Sequence, residues 1–254
     1  MATVSSLDLP PPFRLVTLRE AGDAMAHATA IAGEEGAGTL VHVGRFDLAE
    51  FAVVLEPDEP LRQARRAFYA GATALADALA AHAPPEKPMA FDWPDAIRID
   101  GGLVGGVRLA WPIGADENEP PPWLVFGAMI RLVALGEEEA GVRPLSATLE
   151  DEGFDGLGSD RLVESFARHL MNAIDAWRET GFGEIERNYL ARLAPSLSSP
   201  AGGGGMGGGV QRRIDDNGDL LVRRVAVSEP VRHSLIDALS RVAWFDPESG
   251  GPRR

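Results

Sequence analysis

The sequence contains no cysteine among its 254 residues. That excludes disulfides, thiolate metal sites and a cysteine nucleophile, and it suits a reducing compartment. No apolar run approaches the ~18 residues that a membrane-crossing helix needs. Residues 1–12 have neither a basic leader nor a continuous apolar stretch, so they do not read as a secretory signal. The expected location is the cytoplasm. Positive charge is scarce as well: 24 Lys and Arg stand against 38 Asp and Glu, a formal net charge of −14. So acidic a surface repels phosphate backbones and argues against nucleic acid as a partner, although acidity of this kind often serves solubility alone. Two common pieces of chemistry are missing, the Gly-x-x-x-x-Gly-Lys-Ser/Thr phosphate loop and the Gly-x-Ser-x-Gly nucleophile elbow. His27, His42, His82, His169 and His233 show no ligand spacing, so no metal site is expected. The acidic run Glu150-Asp151-Glu152 with Asp155 reads as a solvated loop ahead of a helix.

What the chain does have is apolar surface, 45% of its residues, enough for one large domain or a main domain with an appendage. One break in composition stands out. Residues 195–209 are Pro, Ser and Gly almost throughout, which cannot offset their ordering entropy and read as a flexible linker. The expected organisation is a main domain over residues 1–195, a linker over 196–209 and a small αβ appendage over 210–254.

Within the main domain, strand and helix patterns interleave. Residues 13–18, 38–43, 51–55 and 123–133 read as strands, and residues 20–32 as an alanine-rich helix. Residues 62–82 form a stronger helix, with Phe68, Ala72, Leu75 and Leu79 on one face. A later helix has Ser159 as its expected N-cap, a stripe of Val163, Phe166, Leu170, Ile174 and Trp177, and Gly181 at its end. A second helix covers 184–193. In the appendage, strands over 210–214 and 220–227 flank Asp216-Asn217-Gly218. A helix is expected from Ser228, packing the appendage onto the main domain through Val231, Leu235 and Trp244. The fold class is α+β (α/β-like), with a mixed, mostly antiparallel sheet flanked by helices.

The most informative stretch is residues 91–112, F-D-W-P-D-A-I-R-I-D-G-G-L-V-G-G-V-R-L-A-W-P. It reads as a hairpin over 96–109 turning at Asp100-Gly101-Gly102. Gly105 and Gly106 in the middle of the returning strand mark either a bulge with tight packing or a close approach by a ligand. The stretch resembles the signature of the biotin and lipoate A/B protein ligase family. There, Lys-Trp-Pro-Asn-Asp opens one strand and Lys-x-x-Gly-Ile-Leu follows on the next. Trp93 and Pro94 match the Trp-Pro pair, and Gly106 falls at the family glycine without a gap. Residues 38–43, 51–60, 123–133 and 148–192 resemble, in order, the strands and closing helices of that fold, including Trp177, Gly181 and Phe182 in a Trp-x-x-x-Gly-Phe pattern. The resemblance covers about residues 13–193.

The resemblance implies the ligase catalytic-domain fold and a pocket for a small acyl cofactor: biotin, lipoate or octanoate. It also implies a partner in an acyl-carrier domain. The implied ligand-binding residues are Trp93, Pro94, Asp95, Gly105 and Gly106, with Arg45, Arg108 and Arg131 as cations. Four departures bear on activity. The family lysine that meets the carboxylate and the phosphate is Leu103, and a leucine carries no charge to stabilise the adenylation step. The family's arginine-rich nucleotide loop is mostly deleted, leaving Gly44-Arg45, so ATP is doubtful as a cofactor. The opening lysine is Asp92, and the last carboxylate of the motif is Ala96. The asparagine of the later strand is Arg131. By strand alternation Arg108, an odd offset from Leu103, should face the opposite side. Two readings follow: a binding module that has lost adenylation, or an active ligase or acyl transferase acting on a carrier lysine. Both need the two hairpin strands to pair, and both need the cavity beside them not to be filled by the protein's own side chains.

Overall fold

A computed structural model of the chain describes residues 7–135, 145–194, 210–224 and 229–253. The linker expected over 196–209 lies outside them. Seven strands make the main sheet: β1 (Arg14–Leu18), β2 (Thr39–Val43), β3 (Leu48–Leu55), β4 (Met89–Asp92), β5 (Ala96–Ile99), β6 (Gly102–Ala110) and β7 (Leu124–Arg131). Their order is β1-β2-β3-β7-β6-β5-β4. Only β1 and β2 run parallel; the other neighbours are antiparallel. The helices are α1 (Ala24–Glu35), α2 (Leu61–Ala64), α3 (Ala67–Ala80), α4 (Ser159–Thr180), α5 (Gly183–Ala191) and α6 (Leu235–Leu239). Among the described residues, no helix is long and apolar enough to cross a membrane.

The sheet is covered on both faces, which is why β2, β3 and β7 are buried almost end to end rather than alternating. On one face α3, α4 and α5 pack over the main core. α3 is small on its sheet side because it must lie close. A Cβ at Gly71 would overlap the Phe126 ring, and Ala72, Ala76 and Leu79 are fully buried. Phe126 stacks on Phe166 of α4 at 5.7 Å, and Phe166 lies 4.7 Å from Phe51. On the other face α1 lays its alanine stripe, Ala24, Ala28 and Ala32, against Val41, Val43, Ala52, Val54 and Val125. Each large apolar side chain buried in these layers contributes about 1.5–3 kcal/mol.

The chain after residue 209 adds β8 (Val210–Ile214), β9 (Leu220–Arg224) and β10 (Val231–His233), a separate three-stranded sheet, and then β11 (Phe245–Asp246) and β12 (Gly251–Pro252). Ile214, Leu220, Val222 and Leu235 join the same buried cluster as α3. Three expectations are corrected here. The helix expected from Ser228 is a strand at 231–233 followed by a five-residue helix. Val231 and Arg232 pair with Val222 and Leu221, because β9 has an open edge to fill, and the Ser234 side chain then caps α6 by accepting from the Asp237 amide. Val231 is 58% exposed, so the segment packs through Leu235 and Trp244 without it. Likewise Gly158, not Ser159, occupies the cap position of α4, because the Ser159 hydroxyl is engaged with His42 at 2.7 Å.

Candidate functional site

The hairpin β5–β6 is paired as the pattern requires, with its turn at Asp100-Gly101, both at positive φ. The register slips between Ile97 and Arg98: Ile97 stands opposite Gly105 and Arg98 opposite Leu103, leaving Val104 as an extra residue on β6. This is a β-bulge. Gly105 carries it at φ 156°, and any Cβ there would collide with the Met129 carbonyl of β7. The bulge overturns the expectation about Arg108. With one residue added, Leu103, Gly106 and Arg108 all lie on the face away from α3. Leu103 packs there with Leu48, Ala96, Met129 and Trp244, and the Arg108 guanidinium lies over the Phe245 ring at 4.8 Å.

The space beside Gly106 is occupied. The indole of Trp244, 1% exposed, stands where a Cβ on Gly106 would lie. The condition that no side chain of the protein fill this cavity is therefore not met. Beside the indole remains a recess lined by Met25, Glu50, Arg108, Gly127, Met129 and Trp244, with room for about one water molecule. A small acid does not fit unless Trp244 moves.

Two buried carboxyl groups lie here, Glu50 on the recess and Asp95 beside the Trp244 indole. Glu50 on β3 is 2% exposed and accepts a 2.9 Å hydrogen bond from the Ala24 amide at the start of α1. Burial pushes its carboxyl up, and that amide, Arg45 and Arg108 pull it back. Asp95 is 3% exposed, and burial raises its carboxyl to about 7 against a smaller opposite pull from the Trp244 indole. The indole N–H faces that carboxyl without closing a hydrogen bond of ordinary geometry. Asp95 Oδ2 and Trp244 Nε1 are both buried with no partner.

The residues expected to bind a ligand are only partly brought together. Gly106, Asp95 and Arg108 surround Trp244, while Gly105 is pressed against the Met129 carbonyl of β7. Arg131 is on the same face and donates to the Leu103 carbonyl at 3.0 Å, the Arg253 carbonyl at 2.7 Å and the Ser146 hydroxyl at 2.5 Å. Trp93 and Pro94, joined by a cis peptide bond, sit on the opposite side. There the Trp93 indole donates to the Tyr69 hydroxyl at 3.4 Å and meets His233, and the Pro94 carbonyl accepts from Tyr189 at 2.6 Å. Arg45 forms a two-pronged pair with Asp47 at 3.0 and 2.6 Å, which raises its pKa. With that arginine engaged and Glu50 behind it, these residues do not fit a nucleotide's phosphates. Reading the sequence missed Glu50 and the position of Trp244. Glu50 carried one signal, a carboxylate between Ala49 and Phe51 within a continuous apolar strand.

Comparison with known proteins places this geometry. The chain is similar to the Biotin–[acetyl-CoA-carboxylase] ligase of Paracoccus denitrificans, 28% identical over 200 residues that cover 75% of this chain and 79% of that one. It is similar over 91% of its length to the crystal structure of a biotin protein ligase-like protein of unknown function from Silicibacter sp., covering 98% of that chain at 27% identity and a TM-score of 0.76. Biotin protein ligase from Aquifex aeolicus shares the fold at a TM-score of 0.62 and 15% identity, over 87% of this chain and 99% of that one. The model of the biotin/lipoate A/B protein ligase family matches residues 9–191. With a match of that extent, and with the paired hairpin at its centre, the chain belongs to the biotin/lipoate A/B protein ligase family.

Proposed function

We propose that this protein, once Trp244 leaves the space over Gly106, binds there a small carboxylic acid of the biotin, lipoate or octanoate class, free or presented by an acyl-carrier domain, and does not form its adenylate. The observation that carries this reading is the charge around the recess. Adenylation gathers negative charge as the carboxylate attacks the α-phosphate, and a fixed cation is needed beside it. Leu103 stands at the position where the resemblance expects that cation, packed among apolar side chains. Arg108 lines the recess on the same face, and a guanidinium fork suits one carboxylate. Glu50 lines the same recess, and an ionised carboxyl group there opposes the further charge of a phosphate. One cation among such neighbours suits a single carboxylate and leaves none for the polyphosphate of ATP that would have to stand beside it.

Thermal shift with biotin, lipoate, octanoate and ATP, each alone, tests the proposal. A ligand at one hundred times its dissociation constant stabilises by about 2.7 kcal/mol. The expected result is stabilisation by one acid, none by ATP, and loss of the effect in Arg108→Gln. The second reading, an active ligase, is favoured by the ligase name of the Paracoccus relative. Stabilisation by ATP together with transfer of labelled acid to a carrier-domain lysine would establish that reading instead.

A further inference from the structure

We infer that the terminal strap, residues 242–253, is a removable plug: Trp244 holds the acid's place over Gly106, and an acid enters by displacing it. The inference rests on the reading that the recess takes an acid. Three observations support it. First, the strap's own strands pair with each other, Phe245 with Pro252 and Asp246 with Gly251, rather than extending the main sheet. Its loop is closed by the Arg253 amide donating to the Trp244 carbonyl at 2.6 Å. Within the strap only Trp244 and Pro252 are buried, so it rests on the body by a few side chains.

Second, two of its anchors are the arginines of the site. Arg108 lies over Phe245, and Arg131 donates to the Arg253 carbonyl. An acid whose carboxylate meets Arg108 needs the space over Gly106 that Trp244 fills. Strap and acid are therefore mutually exclusive occupants, and the strap lowers apparent affinity by the fraction of time it is seated. Third, its seat is not saturated. The Trp244 N–H and the Asp95 carboxyl are buried facing each other, yet Trp244 Nε1 and Asp95 Oδ2 close no hydrogen bond of ordinary geometry. A fixed core seldom leaves such groups unmet, whereas opening would give both to water.

The test uses the full chain, with octanoate as probe in calorimetry and amide hydrogen exchange without ligand. Trp244→Ala is expected to bind octanoate at least ~10-fold tighter than the wild type, because the closed state is removed. Phe245→Ala, which loosens the strap and leaves Trp244 in place, should move affinity the same way by less, and it serves if the first variant folds poorly. In the wild type the Arg253 amide should exchange ~100-fold or more faster than the Val107 amide of β6, through local opening. Equal octanoate affinity in wild type and both variants would overturn the plug while leaving the acid reading intact. Arg253 exchanging no faster than Val107 would overturn it whatever binds, because the strap would then open only when the whole protein unfolds. Rapid exchange at Arg253 with no binding of octanoate, biotin or lipoate by any variant would sink the acid reading, and the acid as displacing ligand with it.

Discussion

On the α3–α5 side of strands β4–β6, the buried hydroxyls of Tyr69 and Tyr189 end on the carbonyl oxygens of Gly218 and Pro94, each at 2.6 Å. On the strap side of the same strands, Asp95 Oδ2 and Trp244 Nε1 are equally buried and face each other without closing a hydrogen bond of ordinary geometry. The first face also stacks its rings, Phe91 on Tyr189 at 4.6 Å, and shares one continuous apolar cluster. The second divides among a small cluster of Leu48, Ala96, Met129 and Trp244, two carboxyl groups and two arginines. Polar groups left unmet in an interior cost about 1–3 kcal/mol each, and a protein that tolerates them usually has a use for the place. The first face makes the fold, although Thr73 Oγ1 of α3 is also buried there without a partner, and the second gathers the charged groups where the family resemblance expects a site.

The comparison breaks most visibly at the centre of the fold-making face. Phe166 is fully buried between Phe51 and Phe126. Phe166→Ala should cost about 3–5 kcal/mol, as large-to-small changes in a packed core do. Urea unfolding checks this. A loss under ~0.5 kcal/mol, the range of surface substitutions, would mean that this face is not the core.

The site-making face should declare itself through pH. The Asp95 carboxyl is held at about 7, against 3.8 for an ordinary aspartate, chiefly by burial. It faces Trp244 from the strap and Tyr189 from α5, with Asp92 nearby. Between those two values the unfolded chain loses its proton while the folded protein keeps it. The folded state then binds more protons, so stability falls as pH rises through that window and levels off above about 7. The ceiling is on the order of 4 kcal/mol, at about 1.36 kcal/mol per pH unit. Asp95→Asn removes this dependence. Its stability relative to the wild type should increase from pH 5 to pH 8, read as the urea midpoint at each pH. Parallel curves for the two proteins would show that Asp95 is not held protonated.

Much of the fold-making face was legible in the sequence, because periodicity reports which side chains share a core. Phe68, Ala72, Leu75 and Leu79 announced α3, and Val163, Phe166 and Leu170 announced α4. Asp100-Gly101 announced the hairpin turn, and the Trp-Pro pair with the spaced glycines announced the family. The site-making face was less legible because its geometry depends on a departure from periodicity. One extra residue at the Gly105 bulge returns Arg108 to the side of Leu103, where plain alternation sends it away. The glycine doublet held both open readings at once, a bulge and a close approach, but the approaching group is Trp244, 138 residues later in the chain than Gly106. No local pattern ties the two together. The side on which Trp93 lies was hidden for a related reason: the motif places it in sequence, while Tyr69 and His233, from elements distant in the chain, fix where its ring lies.

The smallest effect sharpens the boundary of the site. Arg45 stands where the resemblance expects the family's phosphate-holding loop, and its guanidinium closes on Asp47 two residues away. The pair is partly exposed, 28% at the arginine side chain and 12% at the aspartate. A pair of this kind is worth about 0–1 kcal/mol, so Arg45→Ala should lower stability by no more than that. Its effect on acid binding should be negligible beside that of Arg108→Gln, because Arg108 lines the recess and Arg45 is turned to its own loop. Calorimetry with octanoate on the two variants gives the ratio directly. A tenfold loss of affinity in Arg45→Ala would mean that the β2–β3 turn reorganises around the ligand, bringing the arginine off Asp47 and into the half of the molecule that makes the site.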